Sequence, residues 1–242
     1  MVSFTGKEVR HLVFATLALG FIFGFDDGRP SFEFVYWLFN YVRVCFACVA
    51  VLLAYALAQK LVADHFGCSV EFRLWTVKRY GFRPYNKFKH PIPLGVIVGI
   101  LVAFLSAGKF FFPGVASFKL AEQRHRRVGR RFLNVTGWEL SRIALSGVFA
   151  ALLVAFVFSI FGFRQVVLIA SLFAVFQLLP IPGLDGVKVF FGSMALFAFS
   201  AAFVLVSAIL LNFVSAFTAL FVSFVGASIF GIMFFYYRVY SS

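Results

Sequence analysis

Long apolar runs alternate with short polar segments along the chain, and the runs have the length a bilayer demands. A helix that crosses hydrocarbon needs about 20 apolar residues. His11 to Phe25 is somewhat short for this, Phe34 to Ala63 is long enough to cross with tilt, and Trp138 to Phe163 spans. Gln165 to Leu179 is short and ends at a proline-glycine stretch. Val187 to Tyr237 is too long for one helix and reads as two, with a turn near Asn212. The pattern predicts an all-α multi-pass membrane protein with about six transmembrane helices, built as a single membrane domain over residues 1–242.

One run breaks the pattern. Ile92 to Phe112 is apolar but carries or adjoins Pro91, Pro93, Gly95, Gly99 and Gly108, which disfavour one straight helix. It lies between two basic segments, Asp64 to Pro91 and Lys109 to Gly137. Loops rich in Lys and Arg stay on the cytoplasmic side. A run between two such loops cannot cross once, so it reads as a re-entrant or embedded hairpin with room for short β-strands around 92–120. The alternative is a plain span with one basic loop outside.

The charge pattern sets the expected orientation. The loop Asp26 to Glu33 is acidic on balance and is expected outside. The N-terminus and both basic segments, including the run Arg124 to Arg131, are expected in the cytoplasm of an integral cell-membrane protein. The first apolar stretch lacks a small-residue cleavage site, so no cleavable signal peptide is expected. Arg43 and Lys60 are expected to snorkel to the outer and cytoplasmic interfaces.

Composition agrees. The chain is 62% hydrophobic and 13% charged over 242 residues, too apolar for a soluble domain of this size. Its net charge of +13 sits in loops between apolar runs, which argues against nucleic acid as a partner and for lipid headgroups. Cys45 and Cys48 have C-x-x-C spacing inside an apolar helix without a second pair, so they read as small packed residues rather than metal ligands.

Two stretches carry the candidate chemistry. "YALAQKLVADHFG", Tyr55 to Gly67, closes the long helix. "FQLLPIPGLDGVKVFFGS", Phe176 to Ser193, is a proline-broken segment with one carboxylate, Asp185, beside a glycine. A carboxylate within a membrane is costly and points to function by default. The bland reading places Asp185 at the interface, wet or paired with Lys188.

Together these stretches resemble the site-2 protease family of intramembrane zinc metalloproteases, over about residues 34–193, with the C-terminal helices 187–237 as an addition. "QLLPIPGLDG" looks like that family's N-L-L-P-x-P-x-L-D-G segment, whose Asp binds zinc. "LVADHFG" looks like the tail of its H-E-x-x-H helix, and "SRIALSGVFAALLVA" like its A-G-P-x-A-N helix. "RRVGRRFLNVTGWEL" and "KVFFGS" are similar to stretches of archaeal members. The resemblance aligns Tyr55 with the first His, Ala56 with the catalytic Glu and Gln59 with the second His. Val148 aligns with the proline, Ala151 with the following asparagine, and Gln177 with the asparagine before L-L-P. Only Asp185 remains of the zinc and base set.

Two His at i and i+4 share one helix face and supply imidazole nitrogens to zinc, and the Glu takes a proton from the metal-bound water. Tyr55 and Gln59 keep that spacing but offer a phenol and an amide, and Ala56 offers no base. The expectation is a degenerate polar cluster of Tyr55, Gln59, Asp185 and Gln177, with Tyr55 and Gln59 donating to Asp185, no catalytic residues and no cofactor. His65, His90 or His125 rebuilding a metal site stays open. The functional expectation is a non-catalytic, pseudoprotease-like membrane protein that binds or regulates transmembrane or membrane-proximal client segments. The alternatives are an active zinc protease with non-standard ligands, a transporter or channel with Asp185 on a broken helix, and a purely structural subunit.

Overall fold

The computed structural model describes residues 3–29, 31–79, 87–122 and 134–240. In chain order the elements are α1 (Gly6–Gly24), α2 (Phe34–His65), β1 (Cys68–Leu74), β2 (Val77–Arg79), β3 (Lys87–Ile92), α3 (Leu94–Leu105), β4 (Ala116–Glu122), α4 (Gly137–Ile160), α5 (Arg164–Gln177), α6 (Asp185–Gly192), α7 (Met194–Leu210) and α8 (Ala216–Tyr240). The run Arg124 to Arg131, with His125, lies outside the described residues, as does Arg83.

Among the described residues, three helices are long and apolar enough to cross a membrane: α2, α4 and α8. That supports membrane association. Helices α3, α5 and α7 are apolar but shorter. α2 has 32 residues, about 48 Å at 1.5 Å per residue, well beyond a hydrocarbon core of about 30 Å. α1 and α4 begin at Thr5 and Thr136, whose hydroxyls accept from the N–H of Glu8 and Glu139 while the Glu side chains cap in return. The turn near Asn212 falls between α7 and α8 as the pattern predicts.

The core is formed where α2 packs on α4, α4 on α5 and α1 on α2, with α7 and α8 paired beside them. Val51, Leu52, Ile143, Val148, Ala151 and Phe173 are fully or almost fully buried between these helices.

Short strands are expected around 92–120, where β4 begins, but β1, β2 and most of β3 lie before that range. β1 pairs antiparallel with β4, from Cys68 opposite Glu122 to Leu74 opposite Ala116, and β2 pairs with β3. In β1, Cys68, Val70 and Phe72 are buried while Ser69, Glu71 and Arg73 are less so, the period-2 pattern of a half-buried strand.

The hairpin between them resolves the conflict over Ile92 to Phe112. Gly95 N–H donates to the Trp75 carbonyl, and the Trp75 N–H donates to the Val115 carbonyl, so both ends of the segment meet beside Trp75. Between those ends α3 runs in the same direction as α1, with Gly99 against Ile22 and Gly108 against Asp26. α3 is 12 residues, about 18 Å, too short to cross. The chain goes out as a helix and returns extended. Its tip corrects one assignment: Lys109 follows Gly108 beside the α1–α2 loop, whereas Glu122 pairs next to the opposite end of α2. The segment from Lys109 to Gly137 therefore does not lie wholly at one end of the bundle.

Candidate functional site

Pro180 ends α5, because it has no N–H to continue the helix and excludes α geometry before it. The chain then doubles back through Pro182 and Gly183. Gly183 has φ +105°, and the Trp75 indole lies where a side chain would project. Gly186 packs against the Leu178 carbonyl with no room for a Cβ. Both glycines are thus needed for the turn, which delivers Asp185 to the face of α2 that carries Tyr55 and Gln59.

Asp185 is completely buried. The Tyr55 hydroxyl donates to its Oδ2 at 2.5 Å and the Gln59 amide donates to the same oxygen at 2.7 Å. The Lys188 ammonium, one turn along α6, donates to Oδ1 at 2.9 Å. Lys188 also donates to the Phe118 carbonyl at 3.3 Å and sits over the Phe118 ring. A buried carboxylate is tolerable only when its charge is compensated and its lone pairs are used. Here one cation and two neutral donors do both.

Gln177 does not join this cluster through a hydrogen bond. Its amide donates instead to the Ala116 carbonyl at 3.2 Å, because α5 delivers it to the start of β4. Gln177 and Lys188 thus occupy carbonyls two residues apart on β4. Ala56, Val148 and Ala151 are buried and apolar. Lys60 does not snorkel: it forms a buried ion pair with Glu8 at 2.7 Å. Sequence reasoning missed that pair and treated Lys188 only as the bland partner of Asp185. The i, i+3 spacing of Asp185 and Lys188 was the available signal.

Packing fixes the cluster. The Tyr55 ring meets Phe173 and Phe72 edge-on, with centroids at 5.3 and 6.3 Å. Ser141 of α4 donates to the Gly137 carbonyl at 2.9 Å and to the Lys188 carbonyl at 3.3 Å, holding α6 on α4. A Cβ on Gly147 would lie 2.7 Å from two Tyr55 ring carbons and from Gln59 Nε2. Gly147→Ala is therefore expected to destabilise the protein by about 1–3 kcal/mol through overpacking. Gly226→Ala, on open surface of α8 with nothing within 4 Å, is the control and should leave stability unchanged or slightly raised. Thermal unfolding of both variants in detergent checks this.

In comparison with known proteins, the chain is 25% identical over 193 residues to the protein named Putative zinc metalloprotease MJ0611 of Methanocaldococcus jannaschii, covering 77% of this chain and 84% of that one. No family model matches the chain. No solved structure matches it.

The relative's name raises zinc, and the donor set here tests the fit. Zinc takes thiolate, imidazole or carboxylate ligands. Around Asp185 stand a phenol, an amide and an ammonium, and the ammonium already holds the carboxylate. No group of three or more His, Cys, Asp or Glu is placed to hold a metal among the described residues. His65 packs on Phe66 at the end of α2 and His90 lies on β3. These residues do not fit zinc.

Proposed function

We propose that this chain is a non-catalytic relative of the site-2 proteases that binds or regulates transmembrane or membrane-proximal segments of client proteins in the membrane. The observation that carries the reading is the convergence of Tyr55, Gln59 and Lys188 on Asp185. The two residues that the resemblance aligns with the zinc-binding His donate to Asp185 Oδ2 while an internal cation holds Oδ1, and Ala56 supplies no base. Asp185, Tyr55 and Gln59 are each at most 1% exposed, so a water to be activated has no base beside it and no access there. The partners are lipids and client helices, with no nucleic acid. An extended client adding to β4 would displace Gln177 and Lys188 from its carbonyls.

The test is the zinc content of the detergent-purified protein by elemental mass spectrometry, with Asp185→Ala beside it. Zinc near zero in both, and no chelator-sensitive cleavage of a membrane substrate, is the expected result. About one zinc per chain, lost in Asp185→Ala, would overturn the reading in favour of an active metalloprotease, the reading that the name of the similar protein favours.

A further inference from the structure

At the end of the bundle away from β1, the loop after α1 and the first turns of α2 enclose a cavity of about 370 Å³ lined by Asp27, Arg29, Tyr36, Phe39, Asn40 and Arg43. On α2 these positions follow i, i+3, i+4 and i+7 from Tyr36, which is one helix face. Tyr36, Asn40 and Arg43 make this face polar within the first turns of an apolar helix, with Phe39 beside them. Arg29 stacks on the Tyr36 ring at 3.7 Å and its N–H donates to Asp27 Oδ1 at 3.2 Å. Asn40 Oδ1 accepts from the Gln165 amide at 3.4 Å, tying the face to α5.

Two groups in this cavity lack a counterpart. Asp27 Oδ2 is buried and has no hydrogen-bond partner. Arg43 is exposed and pairs with no carboxylate among the described residues. Arg43 lies about 10 Å along the axis from Tyr36, at 1.5 Å per residue. Tyr36, Trp37 and Tyr41 are the amphipathic aromatics that settle at headgroup level, and Trp37 is anchored by its N–H to the Phe25 carbonyl at 3.3 Å. Arg43 stands two residues past Tyr41, about 3 Å along the axis, at the inner edge of that level, where a lipid phosphate is the anion within reach.

We infer that this cavity binds the headgroup of a zwitterionic phospholipid of the phosphoethanolamine class. The phosphate is held by the guanidinium of Arg43, with Arg29 beside it, and the ammonium by Asp27 Oδ2. Guanidinium donors match phosphate oxygens in a planar fork, and a carboxylate oxygen without a donor matches an ammonium. Phe39 and Phe46, about two helical turns apart on the flank of Arg43, are 72% and 73% exposed and give the acyl chains an apolar wall. Arg29 already lies 4.0 Å from the Glu33 carboxylate, so a free phosphate would satisfy Arg43 but leave Asp27 as it is.

Native mass spectrometry of the full chain in detergent tests this with three ligands: phosphatidylethanolamine, phosphatidylglycerol and inorganic phosphate. The wild type is expected to retain one phosphatidylethanolamine. Arg43→Gln should weaken both lipids at least tenfold, and Asp27→Asn should weaken phosphatidylethanolamine selectively. Should Arg43→Gln not fold, Arg29→Gln reads the same contact. Equal retention of phosphatidylethanolamine by the wild type and the arginine variant overturns the site. Displacement of the lipid by inorganic phosphate at comparable concentration overturns the lipid assignment.

Discussion

Lys188→Met is expected to cost about 3–5 kcal/mol of stability, because it strands the Asp185 carboxylate without a cation. Asp185 is fully buried and Lys188 is one-fifth exposed, so water reaches the pair from the lysine side only. After the substitution Tyr55 and Gln59 still donate to Oδ2, but both are neutral and Oδ1 loses its partner. The double variant Asp185→Leu/Lys188→Met removes the charge and the cation together. Replacing a buried pair by apolar side chains is often close to neutral, so the double variant should recover most of the loss. Unfolding of wild type, both single variants and the double variant in one detergent gives the coupling directly. A Lys188→Met protein within about 0.5 kcal/mol of wild type would mean that the ammonium does not carry the charge of Asp185, and the account of the site would fail with it.

This result bears on function because the same pair decides what Asp185 is for. A carboxylate held by an ammonium, a phenol and an amide has few lone pairs left for a metal, and its role becomes joining α2 to α6. Resemblance and geometry thus pull apart: the turn that presents the aspartate, through Gly183 and Gly186, looks like the family's, while the groups that meet the carboxylate are a phenol, an amide and an ammonium. The glycines of the turn are required by close backbone packing, independent of any metal.

Much of the helical frame was legible from apolar run lengths. Phe34 to Ala63 matches α2 to within two residues at its end, and the turn near Asn212 separates α7 from α8. The approach of Tyr55 and Gln59 to Asp185 was legible through the resemblance, which aligns the three with the family's zinc ligands; i, i+4 spacing adds only that Tyr55 and Gln59 share a helix face. β1 was not read, although Cys68, Val70 and Phe72 alternate with polar residues, because Arg73 and the basic residues beyond made the whole segment look like a solvated loop. The tip of the hairpin at Gly108 and Lys109 was also misplaced: charge counting assigns a side to a segment but cannot show that it turns back within the bundle. Long-range pairs were beyond reach altogether. Nothing local tells that Lys60 turns inward to a glutamate about fifty residues earlier, since isolated lysines on apolar helices ordinarily run out to water.

That glutamate supplies the second large effect. Glu8 is 1% exposed and joins three elements. It accepts from the Thr5 N–H at 2.8 Å, from the Phe72 N–H of β1 at 2.9 Å and from Lys60 of α2 at 2.7 Å. Lys60 completes its shell with the Ser3 carbonyl at 2.8 Å. Burial alone would raise the Glu8 carboxyl, but the Lys60 hydrogen bond, the two N–H donors and the Lys60 charge outweigh it and hold the group below its ordinary value of 4.5. A carboxyl with a depressed folded value stabilises the fold fully above the unfolded value, and that contribution is lost as pH falls through the folded one. Stability of the wild type should therefore decline as pH drops below about 4.5. Glu8→Gln should lack that component of the slope. At neutral pH it should already be less stable by about 3–5 kcal/mol, since it leaves the Lys60 ammonium buried without a counter-charge. Unfolding free energies from pH 7 to pH 2 in the same detergent test both parts, and parallel curves for the two proteins below pH 4.5 would show that Glu8 does not couple α1, α2 and β1 through its charge.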